Sequence, residues 1–228
     1  AVARRRPGTV RVAMAKIPAR RKSAAPRGRP KVVHQFLIVL SGTDPLVWRR
    51  IQVPETYSFW DLHVAIQDAM GWMDYHLHEF RLIDTDEKHL VSIGIPSDDD
   101  PDDRPVVPGW EVSVSRYFAA RPWHALPALY AYDFGDDWEH LLVHEGMESA
   151  EPSLNYPRCV AGARRCPPED CGGVHGYVEF LEIIGNPKHA EHVPLMQWAG
   201  CNYDPDAFDP KDVVFENPRK RWKVAFQE

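Results

Sequence analysis

The stretch FWDLHVAIQDAMGWMDYHLHEF, residues 59–80, carries a helix signal followed at once by a strand signal. Ser58 is placed to cap the helix, and Asp61, three residues later, is an acidic variant of the capping-box partner. Apolar residues recur at helical spacing on one face, at Leu62, Ile66 and Ala69. Gly71 is suited to end the helix, and HEFRLID then reads as a strand.

Two predicted hairpins flank this stretch. Before it, VHQFLIVL (33–40) and VWRRIQV (47–53) read as strands, and the SGTDP segment between them is typical of a turn. After it, ALYAYDF (128–134) and WEHLLVHE (138–145) form a second pair that turns at Gly135. The order of strands and helices therefore predicts two hairpins joined through one helix.

Two further helices are predicted near residues 175–199, separated at Asn186 and Pro187. The cysteine-proline segment 155–173 and the acidic segment PSDDDPDDRPVVPG (96–109) are predicted to be loops. Because there is no alternating strand–helix–strand rhythm, the sequence predicts an α+β fold, an antiparallel sheet with helices packed on one face. We expect one domain over residues 32–216, followed by an extension over residues 217–228.

Charge divides the chain into two parts. Residues 1–31 hold eleven of the 27 Lys and Arg residues and no acid, while the remaining 197 residues hold 16 basic and 33 acidic residues, a net charge of −17. We expect a disordered basic tail that could contact nucleic acid or the acidic body, whereas the body itself should repel a phosphate backbone. Met14 is a candidate start of the natural chain.

The length of the apolar runs in the sequence bears on cellular location and membrane association. No apolar run approaches the roughly 18–20 residues that span a bilayer, and the basic N-terminus lacks a signal-peptide core. We therefore expect a cytoplasmic protein with no membrane contact. Four cysteines in a chain of this length do not form a disulfide framework, and in a reducing compartment they stay thiols or bind metal.

The cysteines are the first candidate site. They lie at Cys159, Cys166, Cys171 and Cys201, and no pair has the CxxC spacing of a zinc knuckle. We interpret CPPEDCGG first as a rigid structural turn, because proline fixes φ and the Gly pair permits positive φ. A zinc loop is the second interpretation, and buried thiols, a disulfide and a redox pair are the others.

Histidines and acids form two more candidates. His76 and His78 lie two residues apart, so on a strand both project to one face, with Glu79 next in the sequence and His63 on the preceding helix. These histidines could bind a metal through their imidazole nitrogens, or they could be hydrogen-bonded core residues. The hairpin YDFGDDWEH supplies carboxylates and a histidine, including Asp133, Asp136 and His140. These groups suit acid–base or metal-assisted hydrolysis, and equally a polar turn.

Several long motifs occur in one order. They are PLVWRRIQVP, the stretch 59–80, YAYDFGDDWEH, CPPEDCGGVHGY and YDPDAFD. In these motifs, between about His34 and Asp209, the chain resembles the plasmid pRiA4b ORF-3-like family. The resemblance implies a compact α+β domain found on plasmids, in transposons and in chromosomes, with members sometimes labelled resolvase-like. It carries over no catalytic residue.

Three functional hypotheses follow. The first is a non-enzymatic interaction module of a mobile element with a protein partner, because no catalytic set rises above turn chemistry. The second is a metal-dependent hydrolase of a phosphate or amide bond. The third is an accessory protein that contacts DNA weakly through the basic tail.

We further predict that the separate motifs converge. His63, His78, Asp136 and His140 are expected to line one polar site, because the predicted helix leads directly into the strand beside the second hairpin. The Pro-Pro-Glu-Asp loop is expected to close one side, with Glu169 or Asp170 at the rim. In the alternative arrangement each group satisfies a different buried backbone group.

Overall fold

The computed structural model describes residues 30–83, 90–96, 105–119 and 127–226. The eight strands are β1 (Val32–Leu40), β2 (Trp48–Pro54), β3 (His78–Ile83), β4 (Leu90–Gly94), β5 (Val106–Pro108), β6 (Ala128–Tyr132), β7 (Trp138–Ser149) and β8 (Arg158–Ala163). The five helices are α1 (Phe59–Met70), α2 (Val114–Phe118), α3 (Gly173–Ile184), α4 (His192–Trp198) and α5 (Pro218–Ala225), with a short 3-10 turn at Pro210–Asp212. The predictions for the basic tail and for Met14 lie outside the described residues, except at positions 30 and 31.

All eight strands form one sheet in the order β5-β4-β3-β6-β7-β1-β2-β8. Both predicted hairpins are confirmed, since β1 pairs antiparallel with β2 and β6 pairs antiparallel with β7. The fold is α+β, but the sheet is mixed because β4 and β5 run parallel, with Ser92 opposite Val106. A purely antiparallel sheet was therefore wrong in this one pair. Two strands that follow each other in the chain become parallel only through a crossover, which strand patterns do not reveal.

Two predicted loops contain strands. Arg158–Ala163 forms β8 inside the segment 155–173, and Val106–Pro108 forms β5 at the end of the acidic segment. All the residues of both strands are half-buried, so neither shows the alternation of buried and exposed positions that marks a strand in a sequence. Backbone hydrogen bonds to a neighbouring strand hold both segments extended, and for β8 that neighbour is β2.

The core lies between the sheet and helix α1. Buried side chains alternate along β1, at Phe36, Ile38 and Leu40. Leu62 and Ile66 of α1 are fully buried in the same cluster, and the Phe59 ring meets the Phe80 ring edge-on at 5.1 Å between centroids. Each large apolar side chain buried in this way contributes about 1.5–3 kcal/mol.

Helix α5 closes a smaller aromatic cluster. The Trp222 ring lies 5.3 Å from Trp60 on α1 and 4.9 Å from Trp110, measured between centroids. The domain boundary at residue 216 stays a prediction, while Trp222 in the segment beyond it is only 3% exposed. No helix among the described residues combines the length and apolar character needed to cross a bilayer.

The predicted capping box of α1 is present. The Asp61 backbone N–H donates to Ser58 Oγ at 3.2 Å, and the Ser58 backbone N–H donates to Asp61 Oδ2 at 2.9 Å. Replacing Ser58 with alanine removes the acceptor for an N–H group at the start of the helix. We expect the free energy of unfolding to fall by about 1 kcal/mol in urea denaturation, whereas Ser58→Thr should retain most of it. Equal losses in both variants would contradict a capping role.

Candidate functional site

The loop between α1 and β3, residues 71–77, positions the first candidate side chains. It begins at Gly71, whose φ of 88° ends the helix in the left-handed region. Two contacts hold the loop against the rest of the fold, because the Met73 backbone N–H donates to Glu169 Oε2 at 2.9 Å and the Tyr75 backbone N–H donates to Tyr132 Oη at 3.1 Å. The loop is thus tied both to the sheet and to the cysteine-proline segment.

Three side chains from distant parts of the sequence meet at the end of this loop. His76 Nε2 lies 3.1 Å from Asp170 Oδ1 and 3.5 Å from Asp133 Oδ2, and all three ligand atoms lie within 4.8 Å of one another. We call His76, Asp133 and Asp170 the metal-ligand triad. Within the described parts of the chain this is the one group of three or more metal-binding side chains that comes this close.

The two distances from His76 Nε2 to the carboxylates fit a coordination shell. Ligand atoms about 2.0–2.2 Å from a single ion lie about 3.0–3.5 Å apart at tetrahedral or octahedral angles. His76 Nε2 is shielded from solvent and makes no hydrogen bond to any described residue, although the two carboxylates are its neighbours. A histidine nitrogen without a hydrogen bond, this close to two carboxylate oxygens, suits the binding of a divalent ion. A protonated His76 paired with both acids is the competing arrangement.

Asp133 is oriented for ligation by the hairpin turn. Its Oδ1 accepts hydrogen bonds from the Gly135 backbone N–H at 3.0 Å and the Asp136 backbone N–H at 3.3 Å. This side-chain turn occupies one carboxylate oxygen and leaves Oδ2 facing His76. The side chain is only 10% exposed, so its carboxylate is held in a fixed place.

Asp170 is oriented by the cysteine-proline segment. Its neighbour Glu169 accepts a 2.6 Å hydrogen bond from Tyr132 Oη, and Asp136 Oδ2 accepts one from the Gly172 backbone N–H at 3.0 Å. Gly173, with φ of 65°, lies so close to the Asp136 carbonyl that any Cβ would overlap it. The Gly pair therefore allows the two loops to meet. The cysteine-proline segment, which was predicted to be a rigid turn, is thus also the segment that was predicted to form the rim of a polar site.

Two triad residues are among the six described non-Gly residues with positive φ. Asp133 and Asp170 have φ of 56° and 58°, in the left-handed region that residues other than Gly seldom adopt. Such a conformation costs about 1–2 kcal/mol per residue and is most often tolerated for Asn and Asp. Two of the three triad members thus stand in costly conformations, a feature that clusters at functional sites.

One side of the triad is open to solvent. The Asp170 side chain is 68% exposed and the His76 side chain is 29% exposed, while Asp133 closes the inner side. Three protein ligands with an open position are typical of a catalytic metal site, in which a water or substrate completes the shell. The mixed imidazole and carboxylate set suits Zn²⁺, Mn²⁺ or Fe²⁺.

A second group of polar residues lies in the core, directly behind this loop. We call it the buried histidine network, and it consists of His63, His78, His140, Tyr130, Gln67 and Asp74. His63 Nδ1 lies 2.8 Å from Tyr130 Oη, and His63 Nε2 lies 2.8 Å from Asp74 Oδ1. The His63 and His78 rings stack at 3.4 Å between centroids with 7° between their planes.

Burial keeps His78 and His140 of this network neutral by lowering the pKa of each. It lowers the pKa of His140 to about 4, and it lowers the pKa of His78 well below its usual value, with the adjacent His63 ring adding to the effect. His140 Nδ1 lies 3.1 Å from the Tyr130 carbonyl oxygen, so it donates there as a neutral imidazole. Burial also raises the pKa of the Tyr130 hydroxyl, which therefore stays protonated.

The structure places the predicted residues in two groups rather than in one site. His63, His78 and His140 are interior. His76 and Asp170 are partly or largely exposed, the buried Asp133 lies beneath them, and Glu169 and Asp136 support the loops. Glu79 is elsewhere on β3, where it accepts a hydrogen bond from Arg81 Nε at 3.1 Å.

The four cysteines do not form a metal site. All four are free thiols, with Cys159 on β8 and Cys201 exposed after α4, and no three of them come within ligand distance of one another. Burial raises the pKa of Cys171 to about 12, and it raises the pKa of Cys166 further. The zinc loop is therefore not formed, because β8 holds Cys159 in the sheet away from the turn at Cys171.

Sequence reasoning missed two residues of the buried histidine network and one that supports the loops of the triad. They are Asp74, Tyr130 and Tyr132. Asp74 stands two residues before His76 in the quoted stretch, and its φ of 62° turns its carboxylate inward. The alternating tyrosines of β6 were a usable signal, because a buried Tyr hydroxyl needs a hydrogen-bond partner.

Comparisons with known proteins agree with one another. The model of the family described as "Plasmid pRiA4b ORF-3-like protein" matches residues 32–212. "Uncharacterized protein y4hQ" of Sinorhizobium fredii (strain NBRC 101917 / NGR234) is 36% identical over 195 residues, covering 83% of this chain and 94% of its own length. A crystal structure titled as a protein of unknown function, MM3350 from Methanosarcina mazei Go1, has a TM-score of 0.74 and 41% identity, covering 82% of this chain and 100% of that one.

Proposed function

This chain belongs to the plasmid pRiA4b ORF-3-like family, and we propose that it is a metal-dependent hydrolase with one divalent ion held by His76, Asp133 and Asp170. A single observation carries the proposal. Three ligand atoms from a loop, a hairpin and a proline-rich turn lie within 4.8 Å of one another, with one side open.

An ion held by these residues would supply an activated water at neutral pH. It would lower the pKa of that water and polarise a substrate carbonyl oxygen. In amide hydrolysis the water oxygen would replace the amine on the carbonyl carbon, and the leaving amine would take up the proton that the water loses. The role of this chain is to fix the ion, since Asp133 and His76 are held by the turn and loop contacts on either side.

The charge around the triad favours an amide over a phosphate substrate. Asp136 and Glu169 lie in the same loops as the ligands, and the chain outside its first 31 residues carries a net charge of −17. One divalent ion does not offset this field for a phosphate group that arrives with two negative charges of its own. A neutral or cationic amide meets no such repulsion.

Two finer predictions from the sequence form part of this proposal. The alternation of buried side chains along β1 supports helices packed on one face of the sheet. The four free thiols support a reducing, cytoplasmic setting.

Metal binding is the first test. We expect purified protein to bind one equivalent of Zn²⁺ or Mn²⁺ by isothermal titration calorimetry and elemental analysis. Asp133→Asn and His76→Ala should each weaken binding by more than about 100-fold, because loss of a ligand exceeds the 10–100-fold cost of losing a supporting residue. Asp137→Asn is the matched control, since Asp137 lies in the same hairpin with a similar φ of 54° and lies outside the triad.

Turnover is the second test, measured on a set of N-acetyl amino acid p-nitroanilides. Metal-dependent release of p-nitroaniline that disappears in Asp133→Asn but not in Asp137→Asn supports the hydrolase. Stoichiometric metal without turnover refutes hydrolysis and supports the interaction module predicted first. Absence of metal binding in the parent protein refutes the whole proposal and leaves a protonated His76 paired with both acids.

A further inference from the structure

A cleft of about 680 Å³ lies beside the metal-ligand triad. It is enclosed by the C-terminal end of α1, the segment Cys166–Glu169, and residues 198–214. Glu169 lines the cleft and the next residue, Asp170, belongs to the triad, so the two sites share one loop. The volume falls within the range of small-molecule sites.

The cleft contains a buried cation without an anionic partner. Arg49 is 1% exposed, and its guanidinium donates to three backbone carbonyls, those of Ala69 at 2.8 Å, Trp48 at 2.8 Å and Ala163 at 2.9 Å. No carboxylate of a described residue forms an ion pair with it. Carbonyl oxygens satisfy the Nε and Nη1 donors but leave the positive charge uncompensated, which is costly in a protein interior.

One arm of this guanidinium is unused. Arg49 Nη2 makes no hydrogen bond to any described residue, while one face of the group lies 3.7 Å from the centroid of the Phe208 ring on the cleft wall. The ionisable groups that act electrostatically on Arg49 are Cys166, Cys159 and Tyr203, and burial raises the pKa of all three, so they are neutral at pH 7. The charge on Arg49 therefore has no neutralising partner among the residues that the structure describes.

A second arginine faces the same space. Arg165 lines the cleft, is exposed, and lies over the Tyr203 ring at 4.9 Å from the centroid. The aromatic walls, Trp72 and Trp198, are apolar. Two guanidinium groups beside aromatic surfaces form a receptor for an anion with an apolar body.

The acids of the cleft limit the charge of that anion. Asp68, Glu169, Asp209 and Asp212 also line it. Three of them have partners, since Asp68 pairs with Arg221, Glu169 accepts from Tyr132, and Asp209 accepts from the Lys211 backbone N–H. These carboxylates disfavour a dianionic phosphate more than a monoanion. A planar carboxylate also matches the geometry of a guanidinium.

We propose that this cleft binds the carboxylate of an apolar organic acid, with Arg49 and Arg165 as the anion-binding residues. The carboxylate belongs either to a free small acid or to the C-terminus of a peptide, and both present the same chemistry to the arginines. The inference goes beyond the metal-dependent reaction and does not depend on it, because no member of the triad takes part.

The test is calorimetric titration of metal-free protein, in EDTA, with two matched pairs of probes. One pair is N-acetyl-phenylalanine and its amide, and the other is acetyl-Gly-Gly-Phe and its amide. We expect each acid to bind at least about 10-fold more tightly than its amide, because a hydrogen-bonded charge pair contributes about 1.5–3 kcal/mol. A preference shown by the tripeptide alone identifies a peptide C-terminus, and one shown equally by both acids identifies a small acid.

Substitutions test whether the two arginines cause the tighter binding of the acids. Arg165→Gln and Arg49→Lys should each reduce the preference for the acid, while Arg116→Gln, an exposed arginine on α2 outside the cleft lining, should leave it unchanged. Arg49 also ties three backbone segments together, so the fold of Arg49→Lys is checked first by circular dichroism. If that variant is unfolded, Arg165→Gln and the acid–amide pairs decide.

Equal affinity for acid and amide would overturn the proposal. So would an acid preference that survives in Arg165→Gln, or failure of both acids to bind at millimolar concentration. In each of these cases Arg49 is a structural arginine whose role ends with the three carbonyls that it holds.

Discussion

Replacement of Asp74 with alanine is expected to lower the free energy of unfolding by about 3–5 kcal/mol. The Asp74 side chain is 6% exposed, and its carboxylate lies between His63 Nε2 at 2.8 Å and Arg221 Nη1 at 3.5 Å. Removing the carboxylate leaves His63 Nε2 without its hydrogen-bond partner, and Arg221 loses one of its ion pairs. Alanine also tolerates the φ of 62° poorly, which adds about 1 kcal/mol.

Asp74→Asn separates these contributions. Asparagine accepts the left-handed backbone and keeps an oxygen for His63, so the loss should be about half that of Asp74→Ala in urea denaturation at pH 7. Because Asp74 stands two residues before His76, both variants should also weaken metal binding, alanine the more strongly. An Asp74→Ala variant within 1 kcal/mol of the parent would show that the contacts in the network contribute little.

Acidification is expected to destabilise the fold between pH 6.5 and pH 4 through His140. Burial lowers the pKa of this histidine to about 4, so in that window the unfolded chain binds a proton that the folded chain does not. Stability therefore rises with pH across the window, is fully present above pH 6.5, and falls by about 3 kcal/mol as the pH drops to 4. His78, whose pKa is lowered further, acts in the same direction.

The variant His140→Asn separates the contribution of His140 to the pH dependence of stability from the contribution of the carboxylates. Asparagine places an amide donor where Nδ1 donates to the Tyr130 carbonyl, and it does not titrate. At pH 7.5 the variant should be less stable than the parent because the side chain is smaller. That gap should narrow by about 2 kcal/mol between pH 6.5 and pH 5, measured by urea denaturation at each pH. Parallel curves for the two proteins would show that folding does not lower the pKa of His140.

Local sequence patterns were sufficient for most elements near the centre of the fold. The run from Ser58 to Phe80 predicted the capping box, helix α1, its end at Gly71 and strand β3, and each of these is present. Both hairpins and the break at Asn186 were also predicted, because helix caps, turn residues and apolar periodicity act between residues near in sequence. The same patterns did not reveal β5 and β8. The extended form of β8 depends on hydrogen bonds to β2, about a hundred residues earlier, and that of β5 on a parallel pairing with β4.

The sequence by itself determined which residue types were available for a site, and His76, Asp133 and Asp170 were all among the predicted candidates. Only the tertiary structure decided how they group. His76 and His78 lie only two residues apart in the sequence. The turn at Asp74 nevertheless places His76 in the triad, while His78 stacks on His63 in the core. The difference arises because side-chain direction in a loop depends on backbone φ and on partners such as Glu169 and Tyr132, which lie about a hundred and about sixty residues away.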